Sequence, residues 1–65
     1  MESTDTRPPA ERYARIFRKA GAHLRAGRTE QARAALREGI ELASAHGDSA
    51  MADRFRADLA HTGEP

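Results

Sequence analysis

Valine is absent from this chain and isoleucine occurs only at Ile16 and Ile40, while alanine and arginine dominate. Strands are built from β-branched and aromatic residues, which pack well on a pleated surface; alanine and arginine are among the strongest helix formers. A sheet has almost nothing to be made from. The expected fold class is all-α: an antiparallel helical hairpin plus a third helix.

Size is the second constraint. The chain has 65 residues and no cysteine, so it holds one domain, and the disulfide and thiolate–metal routes to stability are closed together. Below about 70–80 residues a single core rarely contributes more than about 3–5 kcal/mol. Oligomerisation or a partner surface is the remaining common form of help. No apolar run is long enough to cross a bilayer and no apolar stretch follows Met1, so a cytoplasmic protein without membrane contact is expected.

Residues 1–8 are polar, without periodic apolar positions, and read as a disordered tail ahead of a single domain at 9–63. Pro9 suits a first helical turn, where its missing N–H costs nothing. Tyr13, Ile16, Phe17, Ala20 and Leu24 then recur at spacings of three and four, which gives an amphipathic helix closed at Ala26–Gly27. Thr29 is the expected cap of a second helix carrying Ala32, Ala35, Leu36, Gly39, Ile40 and Ala43 on one stripe, with Leu42 off it and a stop at His46–Gly47. The short connection between them forces an antiparallel hairpin. Ala20, Gly21, Ala32, Ala35 and Gly39 are small enough to let the two backbones approach. Asp48 or Ser49 caps a third helix with Met51, Phe55 and Leu59 on one side, ending near His61 with Gly63 beyond.

The net charge of +1 is unevenly spread. Residues 1–28 hold seven basic side chains against three acidic ones, and residues 29–65 hold four against seven. Such a dipolar chain suits pairing between its own helices and association with a complementary surface.

The hairpin resembles a tetratricopeptide repeat. Ile16 stands where that family usually has tryptophan, Ala20 takes the small position, and His23 or Leu24 the bulky one. Gly27, Ala32, Leu36 and Gly39 follow at the expected spacings, and GRTEQA reads like the family's turn and second-helix start. The likeness covers about residues 13–46. Ser44 stands where a proline often closes the repeat, and no second copy is detectable; helix 3 is read as a capping helix. The resemblance implies protein–protein binding without catalysis. A lone unit needs a neighbour to bury its faces, which implies a second copy of itself or a host protein.

Nothing in the sequence points to an enzyme. His23, His46 and His61 are far apart, and none has a metal-ligand partner at helical spacing. Ser44 and Ser49 flank a helix boundary, where capping explains them. Asp53 and Asp58 stand five apart on an exposed helix among arginines. No phosphate-cradling glycine loop exists, and no cofactor or metal is expected. The expected function is a non-catalytic interaction module, either a helical accessory subunit or a self-associating adaptor. Its contact anchors are expected at Tyr13, Phe17, Leu42, Met51 and Phe55, with Arg15 and Arg18 on the rim. The alternative is a nucleic-acid-binding regulator using the first helix. Arg15, Arg18, Lys19, Arg25 and Arg28 are read there as spread over more than half of the helix circumference, which makes nucleic acid the weaker expectation.

Overall fold

The structure is a computed structural model and describes residues 8–62. Three helices account for nearly all of them: α1 (Pro9–Arg25), α2 (Thr29–Ala45) and α3 (Ser49–His61), with no strand among the described residues. The expected tail, apart from Pro8, and Gly63 lie outside that range.

Pro8 precedes a proline and is therefore held extended, at ψ 151°, while its carbonyl accepts the amides of Glu11 and Arg12 at 3.0 and 3.3 Å. Pro9 opens α1 as the first helical residue. The two interhelical connections are chemically the same device. Gly27 (φ 77°) and Gly47 (φ 69°) adopt the left-handed conformation that a side chain would penalise. The amides of Arg28 and Gly27 then reach back to the carbonyls of His23 and Leu24 at 2.7 and 3.0 Å. Those of Asp48 and Gly47 reach Ala43 and Ser44 at 2.8 and 3.0 Å. Each pair of bonds satisfies carbonyls that the helix end would leave bare.

This closure shifts the start of α2. Because Arg28 N–H is tied back to His23, Arg28 itself takes the N-cap position, with no side-chain cap, and Thr29 is already helical. The expectation that Thr29 caps α2 is corrected on that ground. At the equivalent place before α3, Asp48 does act as a cap: its carboxylate accepts the Met51 amide at 3.1 Å.

Small residues dominate the core. Ile16 and Ala20 of α1 join Ala35, Leu36 and Ala43 of α2 in one cluster, to which α3 adds Ala52 and Phe55; Ala32 is also fully buried. Phe55 is fully buried and centres the packing. Its ring stacks on Phe17 with centroids 4.4 Å apart and meets Tyr13 edge-on at 5.9 Å. Gly39 is small for Phe55 rather than for α1: a side-chain carbon there would lie 2.5 Å from the ring. The sequence reading that Gly39 admits the α1 backbone is corrected accordingly. Met51 and Leu59 are half-buried at the flanks, because α3 meets α2 along Ala52 and Phe55.

The C-terminal end of α3 is closed from α2. Arg33 Nη1 donates to the carbonyls of Leu59 and Thr62 at 3.3 and 2.7 Å, and Thr62 Oγ1 donates to the Asp58 carbonyl at 2.8 Å. A cation is thereby set on the negative end of the helix dipole.

Helix α2 is the central element. α1 and α3 both pack against it in the antiparallel sense, yet no Cα of α1 comes within 8 Å of one in α3. Side chains bridge them: the aromatic cluster, and Arg54 of α3 over the Phe17 ring. Leu24, expected on the interior stripe of α1, is 44% exposed, because no backbone of α3 comes close enough to α1 to cover it.

Candidate functional site

Between α1 and α3, toward their C-terminal ends, lies a groove of about 400 Å³. Phe17, Ala20, Gly21 and Leu24 form its α1 wall, Leu36 of α2 its floor, and Asp58, His61 and Thr62 its α3 wall. Leu24 is the one large apolar side chain exposed among the described residues. A mid-helix glycine costs about 0.5–1 kcal/mol relative to alanine, and Gly21 stands in α1 with only the Arg25 guanidinium nearby, its Nη1 3.7 Å from where a side-chain carbon would be. The sequence reading that Gly21 lets the α2 backbone approach is corrected accordingly, since nothing of α2 lies within 4 Å of that position.

Two guanidinium groups flank the groove. Arg25 lies over Gly21 on the α1 side. Arg54 reaches across from α3 and sits 5.3 Å from the Phe17 ring centroid, a cation–π contact.

The structure divides the expected anchors among several places. Tyr13 (5% exposed) and Phe55 (0%) belong to the core, so neither offers a contact surface, and the reading of both as anchors is corrected. A bulky aromatic in a chain so poor in large apolar residues is taken up by the core first. Phe17 is half-buried and lines the groove. Met51 is half-buried against the core. Leu42 and Arg15 come together elsewhere, in a shallow depression between α1 and α2 that also includes Arg12, Ile16, Lys19 and Glu38. Arg18 is exposed on the outer side of α1.

At about 100° per residue, Arg15, Arg18, Lys19 and Arg25 fall within roughly a third of the helix circumference, opposite the buried stripe. All four are exposed. The wider spread read from the sequence is corrected: Arg28 lies in the connection, and the rest form one face. That face is partly neutralised. Lys19 Nζ pairs with Glu38 Oε1 of α2 at 3.0 Å, both about half exposed, and Glu11 falls inside the same arc.

The remaining polar groups are scattered. His46 ends α2 and is exposed, His61 edges the groove, and His23 is half-buried with Nδ1 covered and without a hydrogen bond among the described residues. Asp53 pairs with Arg56 at 3.0 Å, whereas Asp58 faces the groove. The described residues contain no cluster of three or more histidines and carboxylates placed to hold a metal ion, and no helix among them is long and apolar enough to cross a membrane. The Tyr13 hydroxyl is buried without a hydrogen bond; its desolvation, and next the nearby Asp48 carboxylate, raise its pKa above the ordinary 10.0.

Comparison of the chain with protein-family models, with curated proteins and with solved structures finds no match in any of the three.

Proposed function

We propose that this chain is a non-catalytic protein–protein interaction module, a small helical accessory subunit or self-associating adaptor, and that its contact surface is the groove between α1 and α3. The observation that carries this reading is the apolar lining left uncovered there, with Leu24 exposed at its edge. In a chain with so few large apolar residues, one set on the surface beside a groove is a strong asset for binding and a poor one for folding. The likeness of the hairpin to a tetratricopeptide repeat supports the same class of function.

The test is Leu24→Glu. The substitution replaces an exposed side chain, so circular dichroism should show the fold retained. The wild-type chain should self-associate in light scattering or hold a second protein in a purified complex, and the variant should do neither. A wild-type monomer that retains no protein, or a variant indistinguishable from wild type, would overturn the reading.

A second reading is favoured by one observation, the single basic face of α1. It supports electrostatic contact with nucleic acid, which would weaken steeply with added salt and vanish in an Arg15→Glu, Arg18→Glu variant. It ranks second because Lys19 is engaged by Glu38 and the arc carries no aromatic on which a base could stack.

A further inference from the structure

We propose that the groove receives one amphipathic α-helix of a partner protein, its apolar stripe flanked by acidic residues. This rests on the interaction reading above and specifies the partner's chemistry.

The shape of the groove selects a helix. α1 and α3 lie on the same side of α2 without backbone approach to each other. Helix axes pack about 8–10 Å apart, and a fourth helix laid along the seam would touch both walls and complete a four-helix arrangement. An extended peptide would gain little there. Strand addition needs a free backbone edge, and the N–H and C=O groups along both walls are spent within their own helices. Contact with this surface has to come from side chains inserted between Phe17, Leu24 and Leu36.

The sign of the flanking charge selects the partner's flanks. Arg25 beside Gly21 and Arg54 over Phe17 hold guanidinium groups against two residues of the α1 wall. Gly21 and Phe17 are one turn apart on α1, or about 6 Å along its axis. Neither arginine makes an ion pair among the described residues. Two unpaired guanidinium groups about one turn apart along that wall match acidic side chains about one turn apart on the facing flank of a seated helix, which would partly dry the pairs and strengthen them. Asp58 is the one carboxylate lining the groove. It opposes an acidic residue at its own level, and so fixes the register at which the partner's acids meet Arg25 and Arg54.

The experiment uses the full chain and two synthetic peptides of about 18 residues, long enough to be helical alone. They share one leucine stripe and differ in carrying glutamate or lysine on its flanks. Binding is read by fluorescence anisotropy near physiological salt. The glutamate peptide should bind roughly tenfold more tightly than the lysine peptide, since two ion pairs replace two like-charge contacts. An Arg25→Glu, Arg54→Glu variant, both positions being exposed and outside the core, should stay folded and prefer the lysine peptide. Equal binding of the two peptides, or an unchanged preference in the variant, overturns the acidic-helix proposal and leaves the groove reading standing. Binding of neither peptide by a folded monomer overturns both. A wild-type dimer that Leu24→Glu converts to monomer places a second copy in the groove and overturns the proposal. Binding of a short DNA duplex through the same two arginines, while both peptides fail, assigns the basic groups to nucleic acid and overturns it too.

Discussion

Replacing Gly39 by alanine is the most discriminating perturbation of this fold, because two physical effects predict opposite signs. Helix propensity alone favours the change: alanine in a helix interior is better than glycine by about 1 kcal/mol. Gly39 lies within α2 at an ordinary helical φ, so no backbone strain opposes it. Packing opposes it. The added carbon would stand 2.5 Å from Cε1 of Phe55 and 2.6 Å from Cδ1 and Cζ, about 0.9 Å short of the 3.4 Å at which ordinary contact begins. The ring cannot easily withdraw, being fully buried, stacked on Phe17 and edge-on to Tyr13. Overpacking of this kind costs about 1–3 kcal/mol and sometimes more, and displacing the ring also loosens aromatic contacts worth about 0.5–1.5 kcal/mol each. Packing wins, with a net loss of about 2 kcal/mol and a fall in melting temperature of about 10 °C for a domain this small. Gly21→Ala is the internal control. Its nearest neighbour is the mobile end of Arg25 at 3.7 Å, so propensity acts alone and stability should rise by up to about 1 kcal/mol. Thermal and urea melts followed by circular dichroism decide the matter. A Gly39→Ala variant as stable as wild type, or more so, would refute the argument that Phe55 occupies the space over Gly39. Smaller losses in Gly39→Ala with Phe55→Leu than the two single variants sum to would locate the clash at that pair.

Arg33→Met should keep the packed stem and lose the charged hydrogen bonds to Leu59 and Thr62, costing about 1.5–3 kcal/mol, with amide exchange accelerated first in the last turn of α3. Asp48→Ala removes the carboxylate that accepts the Met51 amide and should cost about 1 kcal/mol in urea melts. Tyr13→Phe removes a buried hydroxyl that has no hydrogen bond, so stability at neutral pH should be unchanged or higher. The pH profile supplies the sign check for the same residue. Its folded pKa is raised, so as pH climbs past 10.0 the unfolded chain loses the tyrosine proton first and wild-type stability declines. The phenylalanine variant should decline less over that window, and an identical decline would count against burial of the hydroxyl.

The helices and their ends were legible because their causes are local. Glycine at the two closures announces a left-handed residue, and the three- and four-residue spacing of Ile16, Ala20, Leu36 and Ala43 announces a buried stripe. Failures gathered where the cause lies on another helix. Leu24 continues the stripe of α1 by spacing, and nothing in its neighbourhood says that α3 will stand too far from α1 to cover it. Arg33 reads as a solvated charge until the end of α3 is placed beside it. Gly39 and Phe55 carry no mark of belonging to each other, since the register between α2 and α3 depends on the whole second connection. The anchors were misassigned for a related reason: a pattern shows which side chains share a face, not which face is covered. The groove was therefore half visible, with Phe17 named as an anchor, while the places of Gly21, Arg25 and Arg54 beside it emerged only with the geometry.

The bridging of α1 and α3 by a small side-chain cluster centred on aromatic rings bears on how the chain acquires its shape. The two three-residue connections confine every close backbone approach between helices to sequence neighbours, so little loop entropy is spent in forming either hairpin, and topologies of this kind fold on microsecond-to-millisecond timescales. The stacking of Phe17 on Phe55 is the step that joins ends distant along the chain. Substitutions at these rings should then act mainly on the unfolding rate, while changes such as those at Ala35 or Ala43, inside a local pair, should slow folding itself. The molecule would assemble as two quick hairpins sharing α2 and be fastened late by a single aromatic clasp, beside which the groove lies.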